Sequence, residues 1–238
     1  MAEAPMQDSE DSFLTGAREI APLVLGVSIF SIYGLAYGLL ATQAGFSPLD
    51  VAGMGVVVFA GSSQIVATQQ WLAGAGALAA LIAGLALNLR ILLITASIPD
   101  VFAGRPLWQK ALAAHLAADE NWAMLLQRRA KGRVAGFRYF VGGGVAQFVA
   151  WGCATTLGAA LSVAIPDPKS LGMDFAFTAA FIAIARALFR GRRDLAPWAV
   201  SLGVAGVGLA TGWIAAPWAI VLGGLAGAAT AGFSSDDD

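Results

Sequence analysis

The residues of this chain that invite a chemical reading are uncharged amides and hydroxyls, with one arginine, set inside apolar runs. Gly61-Ser62-Ser63-Gln64 falls near the middle of the apolar stretch Val51 to Trp71, and Thr68-Gln69-Gln70 closes it. Asn88-Leu89-Arg90 interrupts Ala73 to Ile98 in the same way. Hydrocarbon satisfies no hydrogen bond, so such groups must face protein or a wet cavity. Together they supply what a path for a small zwitterion needs. Arg90 is a cation for a carboxylate, and Ser62, Gln64 and Asn88, with Ser63 beside them, are acceptors for an ammonium. The surrounding Gly, Ala, Val and Ile suit an aliphatic side chain. Arg90 can equally snorkel to the interface; a guanidinium at the bilayer centre costs upwards of about 2.5 kcal/mol, and both placements stay open.

Asp119, Glu120 and Asp174 are the carboxylates close to apolar segments, where such groups carry protons or pair with a buried arginine. Ordinary interfacial charge is the plainer alternative. Enzyme chemistry finds few parts: there is no Walker A pattern, no nucleotide fingerprint and no His-x-x-x-His. His115 is the only histidine and Cys153 the only cysteine, which makes a His-rich metal site or a Ser-His-Asp triad with a spare base hard to build and excludes an intramolecular disulfide. Neither a cofactor nor a metal is expected, and Cys153 is expected to pack as a small hydrophobe.

The elements that must position these groups follow from composition. The chain of 238 residues is 58% hydrophobic and 12% charged with a mean hydropathy of +0.73, whereas soluble domains carry about a quarter charged residues. Lipid must therefore be the solvent, and at about 20 apolar residues per span the expectation is an all-α integral membrane protein, a polytopic bundle of about seven helices, some interrupted. The expected spans are one within the uncharged stretch Ile20 to Leu49 that ends near Thr42, then Val51 to Trp71, Ala73 to Ile98, Tyr139 to Leu161, Leu171 to Leu188, Leu195 to Ala210 and Trp213 to Phe233, one domain over 20–233. Gly34 and Gly38, one turn apart, predict close helix packing. Residues 1–19, with Glu3, Asp8, Glu10, Asp11 and Glu19 against Arg18, are expected to be a disordered acidic tail, and 234–238 a second one. Leu107 to Gln127 is expected to be an interfacial or partly inserted helix. The basic region around 100–138 is cytoplasmic by the positive-inside rule, and Arg190, Arg192 and Arg193, two spans later, fall on the same side. The orientation of the N-terminus stays open. A net charge of -1 with no basic face excludes nucleic acid as a partner. A faint echo joins Gly61-Ser-Ser-Gln64 to Gly144-Val-Ala-Gln147.

Several short motifs stand in a meaningful order: Gly45-Phe-Ser-Pro48, Phe59-Ala-Gly-Ser-Ser-Gln64, Asn88-Leu-Arg90, Ala118-Asp-Glu120 and Leu171-Gly-Met-Asp-Phe175. On these residues, from about Ser12 to Phe233, the chain resembles the AzlC/YgaZ family, large subunits of bacterial branched-chain amino acid exporters. It departs from the family pattern at Ile91, where a histidine is frequent, and at Ala118, where a threonine is. The resemblance implies export of valine, leucine or isoleucine across the bacterial inner membrane and a small membrane partner of the AzlD/YgaH type. With no ATPase motif, proton coupling through Asp119, Glu120 and Asp174 is the expected energy source. The rivals are a non-catalytic assembly subunit, an exporter of a different small solute, and a membrane-embedded hydrolase using Ser62 or Ser63.

Overall fold

The computed structural model describes residues 11–25, 29–162, 164, 182, 186, 189, 191–214 and 216–234. Every regular element among them is helical. Asp174 and nearly all of the expected span Leu171 to Leu188 lie outside the described residues.

The acidic start is not a tail throughout. Helix α1 runs over Phe13–Val24 and α2 over Ile29–Gln43, so the single span expected within Ile20 to Leu49 is two helices. Asp11 and Glu19, acids expected in a solvated tail, hold the start of α1 in place. Asp11 is 7% exposed, and its carboxylate accepts from the backbone N–H groups of Gly136 (2.8 Å), Arg138 (3.1 Å) and Tyr139 (3.0 Å). These open helix α9 (Phe137–Leu161), whose first N–H groups have no acceptor within the helix and favour a negative charge. Glu19 accepts from Arg128 and, at 2.8 Å, from the Tyr139 hydroxyl. Both acids tie the start of the chain to α9.

Between α2 and α9 come α3 (Pro48–Val58), α4 (Gly61–Leu72), α5 (Gly76–Ala96), α6 (Pro99–Phe102), α7 (Leu107–His115) and α8 (Asp119–Ala130). A Ser47–Asp50 capping box and Pro48 in the first turn start α3. Asp100 of α6 pairs with Arg129 at 2.5 Å. That guanidinium holds the Asp100 carboxyl below its usual range, a small stabilisation, since the pair is exposed, that is lost as pH falls through the lowered value. After α9, helices α10 (Leu195–Thr211) and α11 (Ala216–Ser234) pair with each other, and α11 touches α5. Gly76–Ala96, Phe137–Leu161 and Arg192–Thr211 are long and apolar enough to cross a membrane. Leu78, Leu81, Leu85, Leu89 and Leu92 of α5 are exposed, as lipid-facing residues are.

Helix α9 is the axis: α1, α2 and α3 all pack along it. The approach is close enough to exclude side chains. A Cβ on Gly38 would stand 2.0 Å from the Thr155 carbonyl oxygen, and one on Gly158 2.2 Å from that of Leu35. Gly16 and Gly142 form a second such crossing, with 2.0 Å to the Tyr139 and Phe13 carbonyl oxygens. Of the Gly34–Gly38 pair, Gly38 meets the backbone of α9, and Gly34 the side chains of Ala154 and Trp151. Because the obstacles are backbone atoms, Gly38→Ala and Gly158→Ala should each destabilise the protein by about 1–3 kcal/mol. Gly152→Ala, where nothing lies within 4 Å of the added carbon, should be near neutral; thermal unfolding in detergent of the three variants checks this.

Candidate functional site

The stretch from Pro48 to Leu72 does not run as one helix. After Val58, Phe59 takes φ 38°, ψ 49° and Ala60 φ -146°, ψ 87°, and α4 begins at Gly61. A bulky residue at positive φ costs about 1–3 kcal/mol and persists only where its surroundings hold it. Phe59 is held: it is 6% exposed, with its ring edge-on to Phe148 at 5.1 Å and 6.3 Å from the ring of His115.

The expected helix Leu107 to Gln127 is broken too, α7 ending at His115 and α8 beginning at Asp119. Asn121 secures the restart. Its Oδ1 accepts from the Ala118 N–H (2.9 Å) while its Nδ2 donates to the carbonyls of Leu116 (2.9 Å) and Phe140 (3.3 Å). His115 lies 5.9 Å from Phe148, the ring that Phe59 also meets, so the two breaks stand side by side against α9.

What the breaks release is polar. Arg90 of α5 pairs with Asp119 at 2.5 Å, their side chains 32% and 26% exposed. Gln147 of α9 donates from Nε2 to the Glu120 carboxylate. Gln64, in the first turn of α4, accepts on Oε1 from the Trp151 indole N–H at 2.9 Å. Gln147 and Trp151 are one turn apart on α9, which stacks these two contacts. Tyr33 of α2 stands beside them, its ring centroid 5.5 Å from that of Trp151. Gly84 approaches the Ser63 carbonyl, 3.4 Å from an added Cβ. Asn88, one turn on, thus shares the face of α5 that meets the start of α4, while Arg90 reaches toward α8.

Several groups here have unused capacity. Ser62 Oγ, Ser63 Oγ, Gln64 Nε2, Asn88 Oδ1, Arg90 Nε and Gln147 Oε1 are buried with no hydrogen-bond partner. Each such group costs about 1–3 kcal/mol, so several together at the meeting of two helix breaks mark a place built to receive polar atoms. Donors and acceptors both occur, as a zwitterion requires. Among the described residues no three His, Cys, Asp or Glu side chains converge as a metal needs.

Arg90, Asp119, Glu120 and Gln64 are thus brought together around α9, with Ser62, Ser63 and Asn88 adjoining and Asp174 outside the described residues. Sequence reasoning missed Tyr33, Trp151 and Asn121, and saw Gln147 only as half of an echo. The available signal was Gln147 and Trp151 at helical spacing on one face of an apolar span. Cys153 is exposed on α9 rather than packed as expected, because the face it occupies is turned away from the bundle.

The AzlC protein family is matched over residues 22–165, a stretch containing both breaks and the ion pair. The chain is 27% identical over 227 residues to the inner membrane protein YgaZ of Escherichia coli (strain K12), covering 92% of this chain and 89% of that protein. No solved structure matches it.

The ion pair should show in stability. Asp119→Asn, which strands the Arg90 guanidinium, should cost about 1–2 kcal/mol at this partial exposure. Arg90→Gln combined with Asp119→Asn should cost less than the sum of the singles, a coupling measured by unfolding the four proteins in one detergent.

Proposed function

The chain belongs to the AzlC family, and on that premise we propose that it is a multi-pass transporter of the bacterial inner membrane that exports branched-chain or similar small hydrophobic amino acids. The observation that carries the proposal is the cluster of buried, unpartnered donors and acceptors where α3–α4 and α7–α8 break against α9. Interrupted helices that present backbone ends and polar side chains at mid-membrane are how secondary transporters hold small solutes.

Depth supports this reading. With the basic residues Arg128, Arg129, Lys131 and Arg133 at the cytoplasmic surface, α8 running along the membrane normal carries the chain roughly 14 Å inward from Arg128 to Asp119. Half the hydrocarbon core is about 15 Å, so the acidic pair sits near the bilayer centre. On α9, the ten residues from Phe137 to Gln147 climb roughly 15 Å to the same level.

Arg90 takes the carboxylate of the amino acid; Ser62, Ser63, Gln64 and Asn88 line the path, and the apolar wall receives the aliphatic side chain. Proton movement through Asp119 and Glu120, with Asp174 a further candidate, drives export. A small membrane subunit of the AzlD/YgaH type is the proposed partner.

In a strain sensitive to a toxic leucine analogue, the parent protein should protect. Arg90→Ala and Gln64→Ala should lose at least about tenfold in protection, the effect of removing roughly 1.4 kcal/mol of interaction, at equal abundance in the membrane. If both variants protect as the parent does, these residues do not line a path, and the chain is better read as an assembly subunit.

A further inference from the structure

Charge at the meeting of the two breaks does not balance. Among the described residues one cation, Arg90, stands against two carboxylates, and it is paired with Asp119. None of the ion pairs there includes Glu120, whose carboxylate is held by the Gln147 amide. Gln147 is 1% exposed, and its Oε1 is buried with no partner. An amide in this position suits two states of its neighbour. Its Nε2 donates to an ionised carboxylate, and its Oε1, after the amide turns over, accepts from a protonated carboxyl or from an ammonium bound there.

The groups around Glu120 leave that role to it alone. On its own helix Asp119 is occupied by Arg90 of α5. Helix α9 offers the uncharged Gln147, and α2 brings the phenol of Tyr33 against Trp151, one turn from Gln147. Helix α1, which packs along α8, sends its Glu19 to Arg128, about two turns away. His115 of α7 is turned to the rings of Phe59 and Phe148.

Resting on the transporter reading above, we propose that Glu120, positioned by Gln147, is a single carboxylate for which a proton and the primary ammonium group of the substrate compete, while Arg90 receives the substrate's carboxylate. The exchange balances. As the ammonium arrives, the O–H bond of Glu120 breaks and its proton leaves to water; the carboxylate then accepts an N–H bond from the substrate. A proton arriving from the other side reverses this and releases the substrate. The protonated, empty site is neutral, and the site loaded with a zwitterion carries one negative charge. A membrane potential negative inside therefore pushes the loaded form outward, the direction of export.

The test is proton counting on the purified full chain in detergent. At a pH below the titration of Glu120, titration calorimetry with L-leucine in two buffers of different ionisation enthalpy should show about one proton released per leucine bound and an affinity that rises about tenfold per pH unit, both fading as pH passes through that titration. Glu120→Gln should abolish both the release and the pH dependence, and Glu120→Asp should keep them. The oxo acid with leucine's carbon skeleton, which lacks the ammonium, should release no proton. Leucine binding to the parent without proton release overturns the proposal and leaves the transporter reading standing, as does release that survives in Glu120→Gln. If leucine, valine and isoleucine all fail to bind a protein that is folded by circular dichroism, the transporter reading falls, and this inference with it.

Discussion

A backbone N–H or C=O in hydrocarbon has no water to turn to, and this constraint organises the whole chain. A helix can be interrupted at membrane depth only where something else satisfies or shields the ends it exposes. Here that support is α9. Its aromatic and amide side chains, Gln147, Phe148 and Trp151, back both interruptions, and the Asn121 side chain closes the free groups of the second one. The interruptions cost strain at Phe59, and in return they place the first turn of α4 and the first turn of α8 next to each other.

Much of this architecture was legible in the residues. Lack of charge and the length of the apolar runs gave the helices of α5, α9, α10 and α11 close to their observed limits, since a span must be long and apolar whatever it packs against. The polar interruptions Gly61 to Gln64 and Asn88 to Arg90 were legible for the same reason, being groups that lipid rejects. The division of Ile20 to Leu49 into two helices, and the helix beginning at Phe13, were not. The residues that hold the start of that helix, Asp11 and Glu19, look like solvated acids until the N-terminus of α9 and Arg128 come within reach, and those partners are more than a hundred positions away in the chain.

The site shows the same division between local and distant information. Composition marks Arg90 and the Asp119-Glu120 pair as expensive in a membrane but does not say that two of them pay for each other's burial. Leu107 to Gln127 reads as interfacial or partly inserted because two adjacent carboxylates are costly in a membrane without partners; the fold supplies both partners, Arg90 from α5 for Asp119 and Gln147 from α9 for Glu120. Gln147 was invisible as a functional residue because an isolated glutamine in a glycine-rich span is also good helix glue. Only its unused oxygen and its neighbour set it apart.

The paired glycine crossings of α1 and α2 on α9 limit how the molecule can change shape. Two backbones in van der Waals contact, keyed at Gly16–Gly142 and again at Gly38–Gly158, resist sliding past one another, so these three helices form one stiff frame. Helix α4 meets this frame through side chains, Gly61 against the rings of Trp151 and Tyr33, whereas the break between α7 and α8 is itself keyed to α9, the Leu116 carbonyl oxygen standing 2.7 Å from a Cβ on Gly144. The polar cluster therefore lies along the line where α4 and α5 meet this frame.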